Sequence, residues 1–225
     1  MNKHIFVFWT GDNQMSPNRQ TSLMQLEKVS NYPVVLINKN NLSDFLIDSD
    51  PLPLAYQYMS DTHKSDFLRA YFMHHHGGGY ADIKQTTDSW TRAFQEIEQD
   101  NIILCGYPEF SYHQIAHIDY KKYWNILIGC GGFISKPKTP LTTEWYQSAK
   151  ALIEQKTELL KQFPATHPQE CSEGNGHGGI QPHGVRSNYP IEWNEILGRI
   201  FQPLVFKYRN FVSRTVPQPV IYNYR

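Results

Sequence analysis

The run from Ser60 to Trp90, SDTHKSDFLRAYFMHHHGGGYADIKQTTDSW, holds the residues best suited to chemistry. Asp66 and Arg69 stand three positions apart, a spacing that places a carboxylate and a guanidinium on one face of a helix. Asp82 and Lys84 stand two apart, which on a strand sends both side chains to the same side. An acid and a base then lie side by side at a sheet edge. Between the two pairs, Gly77-Gly78-Gly79 permits backbone angles that a side chain forbids, so the chain can turn sharply and a ligand can come close. On its own the Asp66 and Arg69 pair is equally an ordinary solvated helix pair, worth about 0.2 to 0.5 kcal/mol.

The elements that position these groups are legible around them. Ser60 or Asp61 caps a helix of about four turns that the glycines end. Its spacing predicts Phe67, Leu68, Tyr71 and Phe72 on one side and Asp66, Arg69 and Met73 on the other. Tyr80-Ala81-Asp82-Ile83 reads as a short strand. Upstream, His4 to Trp9 is a near-continuous apolar run opening into Thr10-Gly11-Asp12-Asn13, as a buried central strand does. Ligands gather beyond the carboxyl ends of such strands, which makes Phe8, Trp9, Thr10 and Gly11 candidate base and ribose contacts. Trp9 serves equally well as plain core. Ser16-Pro17 starts a helix and Pro33 to Ile37 a second strand, a βαβ unit that implies a parallel sheet. Neither GxGxxG nor GxxxxGK[ST] occurs, which disfavours dinucleotide and P-loop chemistry.

The run SDFLRAYFMHHHGGGYADIK resembles the Ser-Asp-x-x-Arg helix, glycine turn and Asp-x-Asp strand of GT-A-fold sugar transferases. Within that group it is most similar to glycosyltransferase family 32 and its bacterial capsular-polysaccharide-synthesis relatives. FVFWTG is similar to their first strand and nucleotide loop, and a looser likeness returns around Glu192 to Leu204. The resemblance implies a single α/β domain over 1–225, GT-A-like, with a Rossmann-like, mostly parallel sheet flanked by helices. Residues 1–90 would bind the nucleotide sugar and 91–225 would serve the acceptor. The implied activity is a hexosyltransferase that moves a hexose from a nucleotide sugar, a UDP-hexose, to a glycan or glycolipid acceptor with retention, in capsule or lipopolysaccharide synthesis. A catalytically silent nucleotide-sugar- or glycan-binding module of the same fold is the alternative.

In the transferase reading Asp66 and Arg69 hold donor hydroxyls, and Gly78, Gly79 and Tyr80 line the donor side. Asp82 reaches the ribose and binds a divalent cation, Mn2+ or Mg2+. Lys84 replaces the second acid of the motif, and a protonated amine cannot ligate a metal and repels one nearby. Either Lys84 turns away or neutralises the diphosphate itself, or the cation keeps Asp82. In the second case it takes its other ligands from phosphate, water and one of His177, His183, Asn194 and Glu195. Glu195 is also a candidate acceptor-side acid or base, against the plainer reading of an exposed helical glutamate.

The rest of the chain sets bounds. Lys plus Arg equals Asp plus Glu at 21 each, so no overall field draws it to nucleic acid. The three cysteines form no CxxC pair, and Cys171 with His177 and His183 matches no zinc spacing. A reducing, cytoplasmic setting is the simpler expectation. Nothing approaches the ~20 apolar residues of a membrane span. PLVFKYRNFVSR fits either a packed terminal element or a peripheral contact at the inner face of a membrane. His74, His75 and His76 point about 100° apart and do not converge on one ion.

Further along, Trp90 to Gln99 reads as helix, Asn101 to Tyr107 as strand, and Pro108 to Tyr120 as a loop for acceptor contacts. Tyr123 to Ile128 and Gly131 to Ser135 suggest short strands around a glycine turn. Thr142 to Phe163 and Ile191 to Phe201 suggest helices, with 164–190 a mobile loop that closes as a lid.

Overall fold

The apolar run near the N-terminus forms β1 (Ile5–Trp9), with Ile5 and Val7 facing one layer and Phe6 and Phe8 the other. Both faces are covered, which is why the run is continuous rather than alternating. The computed structural model describes residues 2–175 and 187–224. Ser16 caps α1 (Pro17–Ser30) by accepting from the Arg19 N–H, with the proline where no helical hydrogen bond is lost. β2 (Val34–Asn38) then pairs parallel with β1 from Ile5↔Val34 to Trp9↔Asn38. The expected βαβ opening is present.

Ser60 caps α2 (Asp61–His75), accepting from the His63 N–H. The expected division into a packed and a charged face does not hold, because every residue from Asp66 to Met73 is buried. α2 is sandwiched between the sheet, through Phe6 and Phe72 at 5.0 Å, and α4 (Pro140–Gln155), through Tyr71 and Tyr146 at 5.6 Å. Asp66 and Arg69 are therefore interior charges, and Met73 is core. Gly77 and Gly78 take φ of 62° and 87° and turn the chain back. Gly78 already opens β3 (Gly78–Ala81), which pairs parallel with β1 through Ile5↔Gly79. The strand stops at Ala81, so Asp82 and Lys84 lie in the loop beyond its carboxyl end rather than on it.

α3 (Thr91–Glu96) leads to β4 (Leu104–Pro108). β5 (Ile128–Ser135) runs antiparallel to both β3 and β4. Two strands around a glycine turn were expected here, yet one strand passes straight through Gly129, Gly131 and Gly132. These glycines are landing places for aromatic rings. A Cβ on Gly129 would overlap the Tyr107 ring, and one on Gly132 would touch Trp90 at 3.5 Å. Ile118–Ile126 is a 3-10 segment instead of a strand.

With β8 (Val212–Ser213) the main sheet has the order β2-β1-β3-β5-β4-β8, parallel in three of its five pairings. α1 and α3 cover one face, while α2, α4 and α6 (Gly198–Lys207) cover the other. α5 (Thr157–Gln162) follows α4 after a break at Lys156, and β6 (Glu170–Cys171) with β7 (Gly174–Asn175) forms a separate hairpin.

The helix expected over 191–201 begins only at Gly198. Glu192 and Trp193 are bent to other partners, the Glu192 carbonyl to His63 Nε2 at 3.2 Å and the Trp193 N–H to Glu173 at 3.0 Å. The segment read as PLVFKYRNFVSR is used in packing: Val205 is fully buried, and Val212 and Ser213 pair with β4. Among the described residues no helix is long and apolar enough to cross a membrane. Of the loop expected to act as a lid, 176–186 lies outside the described residues, and with it His177 and His183.

Candidate active site

A cleft of about 520 Å³ opens beyond the carboxyl ends of β1, β3 and β4, where the sheet leaves its loops free to meet a ligand. The volume lies within the about 300 to 1,000 Å³ usual for small-molecule sites. β1 supplies Phe8, Trp9, Thr10 and Gly11 to its wall, and the end of β3 supplies Tyr80, Asp82 and Lys84. α2 adds Asp66 and Arg69, and β4 with its following turn adds Tyr107 and Glu109. Nine of the sequence candidates for catalysis and donor binding thus meet in one place.

Arg69 is the hub. One of its amino nitrogens lies 3.3 Å from Asp66 Oδ1 and 3.2 Å from Asp82 Oδ1. The other donates to the Cys130 carbonyl at 3.1 Å, and the guanidinium sits 4.7 Å from the centre of the Tyr80 ring. Asp82 is engaged on both oxygens: the Tyr80 hydroxyl donates to Oδ1 at 2.6 Å, and the Lys84 ammonium donates to Oδ2 at 2.8 Å. Gly131 makes room for this, since a Cβ there would stand 3.0 Å from Asp82 Oδ2.

The surroundings separate the carboxylates. Burial opposes ionisation of Asp82, but the Lys84 and Arg69 charges and the hydrogen bonds from Lys84 and Tyr80 outweigh it, holding the carboxyl well below the usual range. Asp66 is pushed up to about 7, first by burial and further by the Asp82 charge, with Arg69 offsetting only part of it. Glu109, 7% exposed, is likewise pushed up to about 7 by burial, against a hydrogen bond from the Phe110 N–H and the Lys84 charge. Of these three carboxyls, Asp82 is held ionised while Asp66 and Glu109 are raised towards neutrality.

Three expected contacts fall elsewhere. Gly78 and Gly79 are buried in β3, and a Cβ on Gly79 would press on Ile5 at 3.1 Å, so they serve strand packing instead of a ligand. Glu195 points away from the cleft: it pairs with Lys156 at 2.7 Å and accepts from the Glu192 N–H at 2.8 Å. Its neighbour Asn194 does line the cleft. Gly11 lines it too, although the space its missing side chain leaves is filled by the Asp61 carboxylate.

Sequence reasoning missed Tyr107, Arg19 and Tyr224, and reached Glu109 only as an unnamed member of the Pro108 to Tyr120 loop expected to make acceptor contacts. Arg19 donates to the Ile83 carbonyl at 2.7 Å and lies 4.5 Å from the Tyr224 ring centre, and Lys84 approaches that ring at 4.9 Å. The sequence signal for Glu109 was its place in that loop just after a strand, at the end where ligands gather.

A family profile described as "Capsular polysaccharide synthesis protein" matches residues 1–160. A solved structure described as "PaToxG Glycosyltransferase" is similar at a TM-score of 0.48 and 11% identity, covering 92% of this chain and 68% of that one. No curated protein matches.

Proposed function

The chain belongs to the capsular polysaccharide synthesis protein family, and we propose that it is a glycosyltransferase that moves a hexose from a UDP-hexose to a surface glycan or glycolipid, with retention. The observation that carries this reading is the convergence of Asp66, Arg69 and Asp82 on one cleft beyond the carboxyl ends of β1 and β3. Each group has a task there. Trp9 and Phe8 offer rings to a base, and Asp82 a fixed carboxylate to ribose hydroxyls. Asp66, poised near neutrality, can accept from or donate to a donor-sugar hydroxyl. Arg69 meets the charge that develops on the departing phosphate oxygen.

In the retaining reaction the bond between the anomeric carbon and the phosphate oxygen breaks as the acceptor oxygen bonds to the same face. The acceptor proton passes to the leaving phosphate. In this reading Glu109, rather than Glu195, is the acceptor-side carboxyl able to hold or release a proton at the cleft, as Asp66 is on the donor side. The acceptor is reached from the cytoplasmic side of the membrane.

The test is a panel of UDP-, GDP- and CMP-hexoses incubated with wild type, Asp66→Asn and Arg69→Lys, with release of the free nucleotide as readout. The expected result is cleavage of one UDP-hexose, lost in both variants. Failure of every nucleotide sugar to bind or react overturns the proposal.

A further inference from the structure

A divalent cation needs several free oxygen ligands, and the Asp82 carboxylate has room for one further partner only, on Oδ2 beside the Lys84 ammonium. Lys84 at 2.8 Å occupies one oxygen, and Tyr80 at 2.6 Å with Arg69 at 3.2 Å occupies the other. An ion placed at either oxygen would sit next to two cationic side chains. Glu195, a sequence candidate for the missing ligand, is tied to Lys156. Among the described residues no three His, Cys, Asp or Glu side chains group to hold a metal. The donor set does not fit the cation that the motif leads one to expect.

The same residues fit an anion. The Lys84 ammonium has three N–H donors, and its hydrogen bond to Asp82 uses one, while the side chain lines the cleft. Arg69 adds a guanidinium whose buried Nε has no hydrogen-bond partner among the described residues. Lys84 and Arg69 both line the cleft and converge on the Asp82 carboxylate from its two sides, so two cationic side chains stand together at one wall of the site. We propose that the site binds the donor diphosphate without a divalent cation, Lys84 and Arg69 together supplying the charge that a metal supplies elsewhere, with Asp82 as the bracket that aims both. Both act by charge and hydrogen bonding alone while negative charge gathers on the departing diphosphate.

This inference rests on the transferase reading, and its test separates the two. Titration calorimetry of UDP, GDP and CDP is run on wild type, Lys84→Asp and Lys84→Gln, each in EDTA and in Mn2+, with nucleotide-sugar cleavage measured in parallel. For wild type, the expected UDP affinity and cleavage are equal within about threefold in the two buffers. Lys84→Asp, which rebuilds the second acid, is expected to bind UDP about tenfold more weakly in EDTA and to recover in Mn2+. Should Lys84→Asp fail to fold, Lys84→Gln decides: affinity lost and not restored by Mn2+ supports the proposal, and unchanged affinity overturns it. Wild-type binding or cleavage that collapses in EDTA and returns with Mn2+ overturns the metal-free inference and leaves the transferase standing. If none of the three nucleotides binds in either buffer, both fall.

Discussion

Glu109 should make the folded protein less stable as pH rises, and Glu109→Gln should remove that penalty. The carboxyl lies just beyond β4, 7% exposed, and is raised from an ordinary 4.5 to about 7, chiefly by burial. Between those values the folded state binds a proton that the unfolded state has released. The contribution to stability is complete below 4.5 and is lost as pH rises through 7. At about 1.4 kcal/mol per pKa unit, holding Glu109 ionised in the folded protein costs about 3 kcal/mol well above neutrality.

Glutamine keeps the shape and the oxygen that accepts from the Phe110 N–H at 3.0 Å, but does not titrate. The unfolding free energy of Glu109→Gln minus that of wild type should therefore grow by about 3 kcal/mol between about pH 5 and about pH 8.5. At this chain length that corresponds to about 6 to 12 °C in the thermal midpoint. Urea unfolding of both proteins at several pH values measures it. A difference that stays constant with pH refutes the reasoning, since a changed contact shifts stability by a fixed amount and only a titrating group makes the shift follow pH. Cleavage by the more stable variant should fall, because the buried carboxyl is then held for the chemistry of the cleft at the expense of stability.

His63 is fully buried, bonded to the Glu192 carbonyl at 3.2 Å, and lowered to about 4, mainly by burial. It therefore contributes stability that is present above 6.5 and lost as pH falls towards 4. The loss amounts to about 3 kcal/mol, and urea unfolding of His63→Gln should show a flatter acid limb than wild type. Gly131→Ala places a Cβ 3.0 Å from Asp82 Oδ2. Displacement of that carboxylate should weaken UDP binding by on the order of tenfold with a stability change of about 1 kcal/mol, read by calorimetry and thermal melting. Glu195→Gln should keep nucleotide-sugar cleavage within about twofold of wild type while losing about 1 kcal/mol of stability through its Lys156 and Glu192 contacts. Loss of cleavage in a variant of unchanged stability would return Glu195 to the site.

The parts of this protein that the sequence determined by itself are those written in short-range pattern. The apolar β1, the Ser16 cap with Pro17 and the apolar β2 declare a βαβ unit, because caps and runs act on neighbouring backbone. The same holds for α2 between Ser60 and Gly77, and for the three-residue spacing that joins Asp66 to Arg69. The resemblance carried by SDFLRAYFMHHHGGGYADIK rests on that same contiguous stretch.

What only the tertiary structure decided depends on which distant segments pack together. Periodicity gave α2 one apolar face, but the sheet on one side and α4 on the other bury it all round and turn a solvated pair into interior charges. Glycines that read as a turn within β5 are surfaces for the rings of Tyr107 and Trp90, residues more than twenty positions away. Glu109 reaches the cleft because β4 joins the sheet beside β5, and Glu195 leaves it because Lys156 at the end of α4 draws it off. Asp82 and Lys84 were adjacent in every reading. That they pair with one another and with Arg69 follows from burial, which leaves a carboxylate and an ammonium little water.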